Sequence, residues 1–163
     1  MLPKAHISEV FGLLDIVKSY GGKTDVAKIG MDLRMDIDDL LKVVETAELF
    51  GLVSVDKGDI QLTNVAHKVM ASTIAGRKKV LHEQLENVEV FSFIRNLLLS
   101  GGRLSKRQIT HVLQSRFGPS EKMGNSVDLI VGWGCFARCF DYDGDSQRVT
   151  AKKDHRHTAK FVN

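Results

Sequence analysis

The sequence predicts a mainly helical α+β protein made of two similar lobes in tandem, and three observations carry that expectation. First, residues 40–63 (LLKVVETAELFGLVSVDKGDIQLT) and residues 127–150 (VDLIVGWGCFARCFDYDGDSQRVT) repeat one pattern 87 positions apart. The shared letters are few (Val44/Val131, Asp56/Asp143, Thr63/Thr150), but the apolar positions correspond: Leu40/Val127, Val43/Ile130, Leu49/Phe136, Val53/Phe140, Val55/Tyr142 and Leu62/Val149. Second, each copy reads as an amphipathic helix that stops and runs into two short strands joined by an Asp/Gly turn. Third, a helix closed by paired glycines precedes each copy, at Gly21-Gly22 and Gly101-Gly102. Helices followed by a β-hairpin form the second half of a winged helix-turn-helix. The expected organisation is a winged helix over 1–64, a long connecting helix over 65–87, a second winged helix over 88–151 and a loose tail over 152–163.

The elements follow in order. Residues 7–19 place Ile7, Val10, Phe11, Leu14 and Val17 on one helical stripe. Thr24 or Asp25 can cap a short second helix with Val26, Ile29 and Leu33 inward. Asp36 opens a third, with Ile37, Leu40, Leu41, Val44, Ala47 and Leu49 toward the core and Gly51 at its end. Asp56-Lys57-Gly58-Asp59 is the turn of the first hairpin. Ala66, Val69, Met70, Ile74, Leu81, Leu85 and Val88 then make a stripe interrupted at Gly76-Arg77-Lys78-Lys79, and an exposed apolar strip along 65–99 is a candidate homodimer seam. Residues 88–100 begin the second lobe, and Ser105 caps the helix of Ile109, Val112, Leu113 and Phe117. Ser120 begins the last long helix, and Asp143-Gly144-Asp145 is the second wing turn.

Bulk properties bound the function. The chain has 163 residues, 43% hydrophobic, which suits one or two small globular domains. Nothing approaches the roughly 18 apolar residues of a membrane span, the start makes a poor secretory signal, and two cysteines make no disulfide framework. A cytoplasmic setting without membrane insertion is expected. The net charge of +3 is uneven: −4 over residues 1–63, +2 over 64–87 and +5 over 88–163. A polyanion would therefore meet the second lobe.

Few residues carry chemistry. Cys135 and Cys139, four apart, would share a helix face and supply half of a metal site. The rest would have to come from His155 and His157, so ordinary packing is the simpler reading. Asp141, Asp143 and Asp145 begin like a calcium loop, but the glycine comes too early and no Glu follows at the twelfth position. Asp36, Asp38 and Asp39 read as acids at a helix N-terminus. No nucleophile–base pattern and no phosphate loop stands out, so no enzyme, cofactor or metal is expected. Lys106, Arg107, Arg116, Lys122, Arg138 and Arg148 could gather on one face and neutralise phosphates, which makes a DNA-binding regulator the alternative function. Against it, the helix over 36–50 sets Asp36, Asp38, Asp39, Glu45 and Glu48 against Lys42 alone, and the helix over 120–138 has few groups that read bases.

Three stretches carry a family resemblance: LPKAHISEVFGLLD; DIDDLLKVVETAELFGLV followed by GDIQLT; and Gly132-Trp133-Gly134 ahead of Phe140-Asp141-Tyr142-Asp143. Over roughly residues 2–150 the chain resembles the AAA-associated C-terminal domain, the accessory domain of ATP-binding subunits of ABC importers of the nitrate/sulfonate/bicarbonate class. The resemblance implies a non-catalytic regulatory or docking module beside a transport ATPase or another transporter component, here as a stand-alone chain. No Walker A loop or signature motif occurs in these residues, so ATPase activity does not carry over. The cysteine pair and the His-bearing tail depart from the family pattern.

Overall fold

The computed structural model describes residues 1–119 and 123–152. Its elements run α1 (Ile7–Ser19), β1 (Lys23–Asp25), α2 (Val26–Leu33), α3 (Ile37–Leu49), β2 (Val53–Asp56), β3 (Asp59–Leu62), α4 (Asn64–Ala71), α5 (Ile74–Glu86), α6 (Glu89–Gly101), β4 (Arg103–Ser105), α7 (Lys106–Phe117), α8 (Met123–Phe136), β5 (Phe140–Asp143) and β6 (Arg148–Ala151). The order α-β-α-α-β-β thus occurs twice, on either side of α4 and α5. Each half has an antiparallel three-stranded sheet, ordered β1-β3-β2 and β4-β6-β5. The expected mainly helical α+β class is what the chain adopts. Among the described residues, no helix is long and apolar enough to cross a membrane.

Local chemistry explains most boundaries. Asp25 is the cap of α2 and accepts from the Ala27 and Lys28 amides, while Asp36 caps α3 through the Asp38 amide. Ser105 and Gln108 close a reciprocal capping box on α7. Both long helices preceding a hairpin end in a Schellman turn. The Leu52 amide donates to Ala47 O and the Gly51 amide to Glu48 O; the Cys139 amide donates to Gly134 O and the Arg138 amide to Cys135 O. The left-handed residue is Gly51 in one half and Arg138, at φ 58°, in the other.

The structure differs from the sequence reading at several places. The connection is two helices, not one. Thr73 caps α5 by accepting from the Gly76 amide, and the Arg77 guanidinium donates to Val69 O and Met70 O at the end of α4. The break therefore falls at Ser72-Thr73 and not at residues 76–79, and Ile74 is exposed. The apolar strip expected to pair two copies lies mostly inside, with Val69, Leu81, Leu85 and Val88 buried. Short strands β1 and β4 add a third strand to each hairpin. The second hairpin loop is also longer: residues 144–147 connect β5 to β6, whereas Lys57 and Gly58 alone connect β2 to β3. The register consequently pairs Val55 with Ile60 and Tyr142 with Val149, so Ile60 and not Leu62 is the counterpart of Val149, and Thr63 is not that of Thr150. Leu33, Ile37 and Leu41, expected inward, are exposed.

The buried side chains form one connected core that runs through both halves. At its centre Phe50, just past α3, lies 4.4 Å from Trp133 of α8 and 5.9 Å from Phe91 of α6. The fully buried indole donates from Nε1 to Ala5 O at 2.9 Å. Thr46 occupies the matching position on α3, 87 residues earlier. Its hydroxyl accepts from the Lys4 amide at 2.9 Å and donates to Lys42 O at 2.8 Å. Residues 4 and 5 are thus pinned by the same position in each half. Size is traded between the copies as well: where α3 and β2 have Ala47 and Val53, α8 and β5 have Gly134 and Phe140, and a Cβ on Gly134 would clash with the Phe140 ring, 2.1 Å from Cζ.

Two substitutions test this packing by urea denaturation. Gly134→Ala is expected to cost about 1–3 kcal/mol by overpacking the ring; wild-type stability would mean that Phe140 moves aside freely. Trp133→Phe keeps the aromatic contact but strands Ala5 O, with an expected loss of about 1–3 kcal/mol.

Candidate functional site

The cysteines do not share a helix face. Cys135 sits in the last turn of α8, whereas Cys139 lies beyond the helix, after the left-handed Arg138. Burial pushes the Cys135 thiol up to about 11 and the Cys139 thiol up to about 12. Among the described residues, no group of three or more His, Cys, Asp or Glu could hold a metal ion. His155 and His157 lie outside the described residues.

Folding does bring Cys139 beside His82, a neighbour that sequence spacing could not show. Its Sγ is 3.8 Å from His82 Nδ1, and His82 Nε2 is 3.0 Å from Glu86 Oε1. Only the His82–Glu86 spacing on α5 was legible. The order resembles a thiol–imidazole–carboxylate relay, but its protons are already placed. His82 Nδ1 lies 3.0 Å from Ala137 O, which can only accept, so this nitrogen carries a proton and cannot take one from the thiol. The imidazole instead ties α5 to the end of α8, and Arg95 adds an ion pair to Glu86. This cluster edges an open groove of about 930 Å³ whose lining includes Lys78, Lys79, Arg95 and Arg138.

Of the six cations named as phosphate contacts, Lys122 lies outside the described residues and the other five are spread over the second half. Lys106 binds Asp128 at 2.9 Å, and that hydrogen bond holds its ammonium above the usual lysine range. Arg107 is next to it, and Arg148 pairs across the sheet with Ser105. Arg116, bound to Glu89 at 2.9 Å, is about 15 Å further along α7 by helix rise. Arg138 lines the groove against α5 and α6. Helix α8 itself carries no Lys or Arg, so it offers no charged donor to a base edge. Asp143 of the acidic trio is held below the usual carboxylate range by hydrogen bonds from the Ser146 hydroxyl and the Asp145 amide within the hairpin turn.

Among the described residues, most of the exposed large apolar side chains fall on the first half. Every residue from Met31 to Asp39 is exposed, and with Leu41 the stretch contains Met31, Leu33, Met35 and Ile37, at 78%, 44%, 38% and 47% exposure. The turn between α2 and α3 is fixed: Arg34, at φ 50°, closes α2, and the Met35 amide donates to Gly30 O at 3.0 Å. Gly30 faces α3, where a Cβ would make ordinary contact with Leu40 Cδ2 at 3.5 Å and Ile37 Cδ1 at 4.0 Å. Three of these five apolar residues look like core in the sequence, which is why their exposure was not legible there.

In comparison with known proteins, the family model described as the C-terminal AAA-associated domain matches residues 27–143, well over half of the chain. No curated protein and no solved structure matches it.

The thiols supply a direct test of this geometry. At pH 8 a disulfide reagent is expected to modify Cys135 and Cys139 at least about tenfold more slowly in the folded protein than in urea. Equal rates would show accessible, activated thiols. The sign for stability is also set: raised folded values mean that the contribution of the thiols is complete below the unfolded value near 9 and is lost as pH rises toward 11 and 12.

Proposed function

The chain belongs to the C-terminal AAA-associated domain family, and from that we propose that it is a non-catalytic accessory module that docks on, or regulates, an ABC-type transport ATPase. On this reading each half is a winged helix, used for contact with protein and not for reading DNA, and the module works in the cytoplasm beside the ATP-binding subunit. The family match is the observation that carries the proposal. Surface chemistry supports it. In a winged helix α3 and α8 would be the groove-entering helices, yet α3 sets Asp38, Asp39, Glu45 and Glu48 against Lys42, and α8 has no cation. The burial that pushes the Cys139 thiol up to about 12 supports the non-catalytic half of the proposal.

The test is purification of the tagged chain from its own cells, with and without ATP, alongside a labelled duplex titrated at two salt concentrations. An ATP-binding transporter subunit in the eluate, no hydrolysis of ATP by the chain alone, and no duplex binding at low salt are expected. A complex with duplex that weakens by orders of magnitude as salt rises, with no ATPase companion, would replace the proposal by a phosphate-driven DNA binder.

A further inference from the structure

The exposed apolar patch on α2 and α3 has a chemistry that selects its partner. Resting on the docking role proposed above, we infer that Met31, Leu33, Met35, Ile37 and Leu41 form the docking surface, and that its occupant is a basic amphipathic helix of the partner polypeptide. Several large apolar side chains exposed within eleven residues of a small chain mark an interaction site. Ile37 and Leu41 are one helical turn apart on α3, Met35 stands two residues before Ile37, and Met31 and Leu33 are exposed in the last turn of α2, across the turn closed by Arg34 and the Met35-to-Gly30 hydrogen bond. The surface is therefore preformed, and its methionines can adapt to the side chains they meet.

Charge sets the rest. Asp32, Asp36, Asp38 and Asp39 lie among the patch residues against Arg34 and Lys42, Lys42 already stands 3.7 Å from Asp39, and Lys28, one turn before Met31, lies over the Tyr20 ring. A partner with apolar anchors bordered by Lys or Arg complements these acids. Symmetric pairing of two copies through this face would oppose acid to acid, which argues against a second copy as the occupant. The backbone groups here are used inside α2 and α3, so an added strand has no edge to pair with. Side-chain packing of a third helix across the two is the mode left.

The probe is a synthetic peptide of leucine and lysine with leucines at helical i, i+3, i+4 and i+7 spacing, compared with the same peptide carrying glutamate for lysine. Amide shifts in the full chain should change over residues 31–42 with the lysine peptide and not with the glutamate one. Affinity should fall at least about tenfold in the Ile37→Ser, Leu41→Ser double variant, and also when salt rises from about 50 to about 500 mM. Both side chains are exposed, so the variant should keep the wild-type Trp133 emission, which serves as the control for folding. Shifts centred elsewhere, no binding, or affinity unchanged in the variant would overturn the assignment. So would concentration-dependent sedimentation of the chain alone that the double substitution abolishes, which would give the face to a second copy. Purification of both forms from cells separates this inference from the role it rests on. If an ATP-binding subunit follows wild type and variant equally, the role stands and the surface is wrong. If none follows wild type while the peptide still binds residues 31–42, the surface stands and the role fails.

Discussion

The indole of Trp133 closes the structure. Its ring packs on Phe50, which also meets Phe91, while its one polar atom donates to Ala5 O. These contacts join α8 of the second half to the end of α3, the start of α6 and the N-terminal segment. Thr46 repeats the arrangement from the other side by accepting from the Lys4 amide. A buried indole N–H is costly without a partner, so the second half needs the segment at Lys4 and Ala5, and Thr46, whose hydroxyl also donates to Lys42 O, adds a tether from the first half. Helix α5 reinforces the seam, since His82 reaches Ala137 O at the end of α8 and Gln84 packs at Gly51 at the end of α3. The repeat seen in the sequence is thereby a repeat of folding pattern, not of independent cores.

The elements legible in the sequence were those with strong local signals. The stripe of α1 and the caps Asp36 and Ser105 fall where the sequence reading has them, and Asp25 is the one of two candidate caps that is used. Three-residue strands such as Lys23–Asp25 were not legible, because three residues are too few for alternation and their identity comes from the strand opposite. The extra two residues of the second hairpin loop were hidden for a related reason. Matching letters at Thr63 and Thr150 favoured a constant offset, whereas register follows inward-facing side chains, and Ile60 and Val149 are the buried ones. Trp133 reads as core in the sequence, but nothing there tells that its counterpart Thr46 serves the same segment.

The candidate surface was hidden by the rule that finds cores. Apolar letters at helical spacing are read inward, and α2 and α3 have more of them than the core can take. Val26, Ile29, Leu40, Val43 and Val44 fill it, leaving Leu33, Ile37 and Leu41 outside. A surplus of apolar side chains on a helix that is otherwise acidic favours a protein face over a nucleic-acid face. The second half spends its cations differently: Lys106 and Arg116 are engaged by Asp128 and Glu89, and Arg95 by Glu86. Sequence charge alone therefore overstates what the basic half offers to a polyanion.

Because Trp133 is the only tryptophan and sits in the seam, one equilibrium experiment reads the shared core directly. Urea unfolding followed by its fluorescence and by far-ultraviolet ellipticity should give one transition with the same midpoint and the same denaturant dependence from both signals. Two separated transitions, with the fluorescence change complete while much of the helical signal persists, would contradict a single core held by the Trp133 seam.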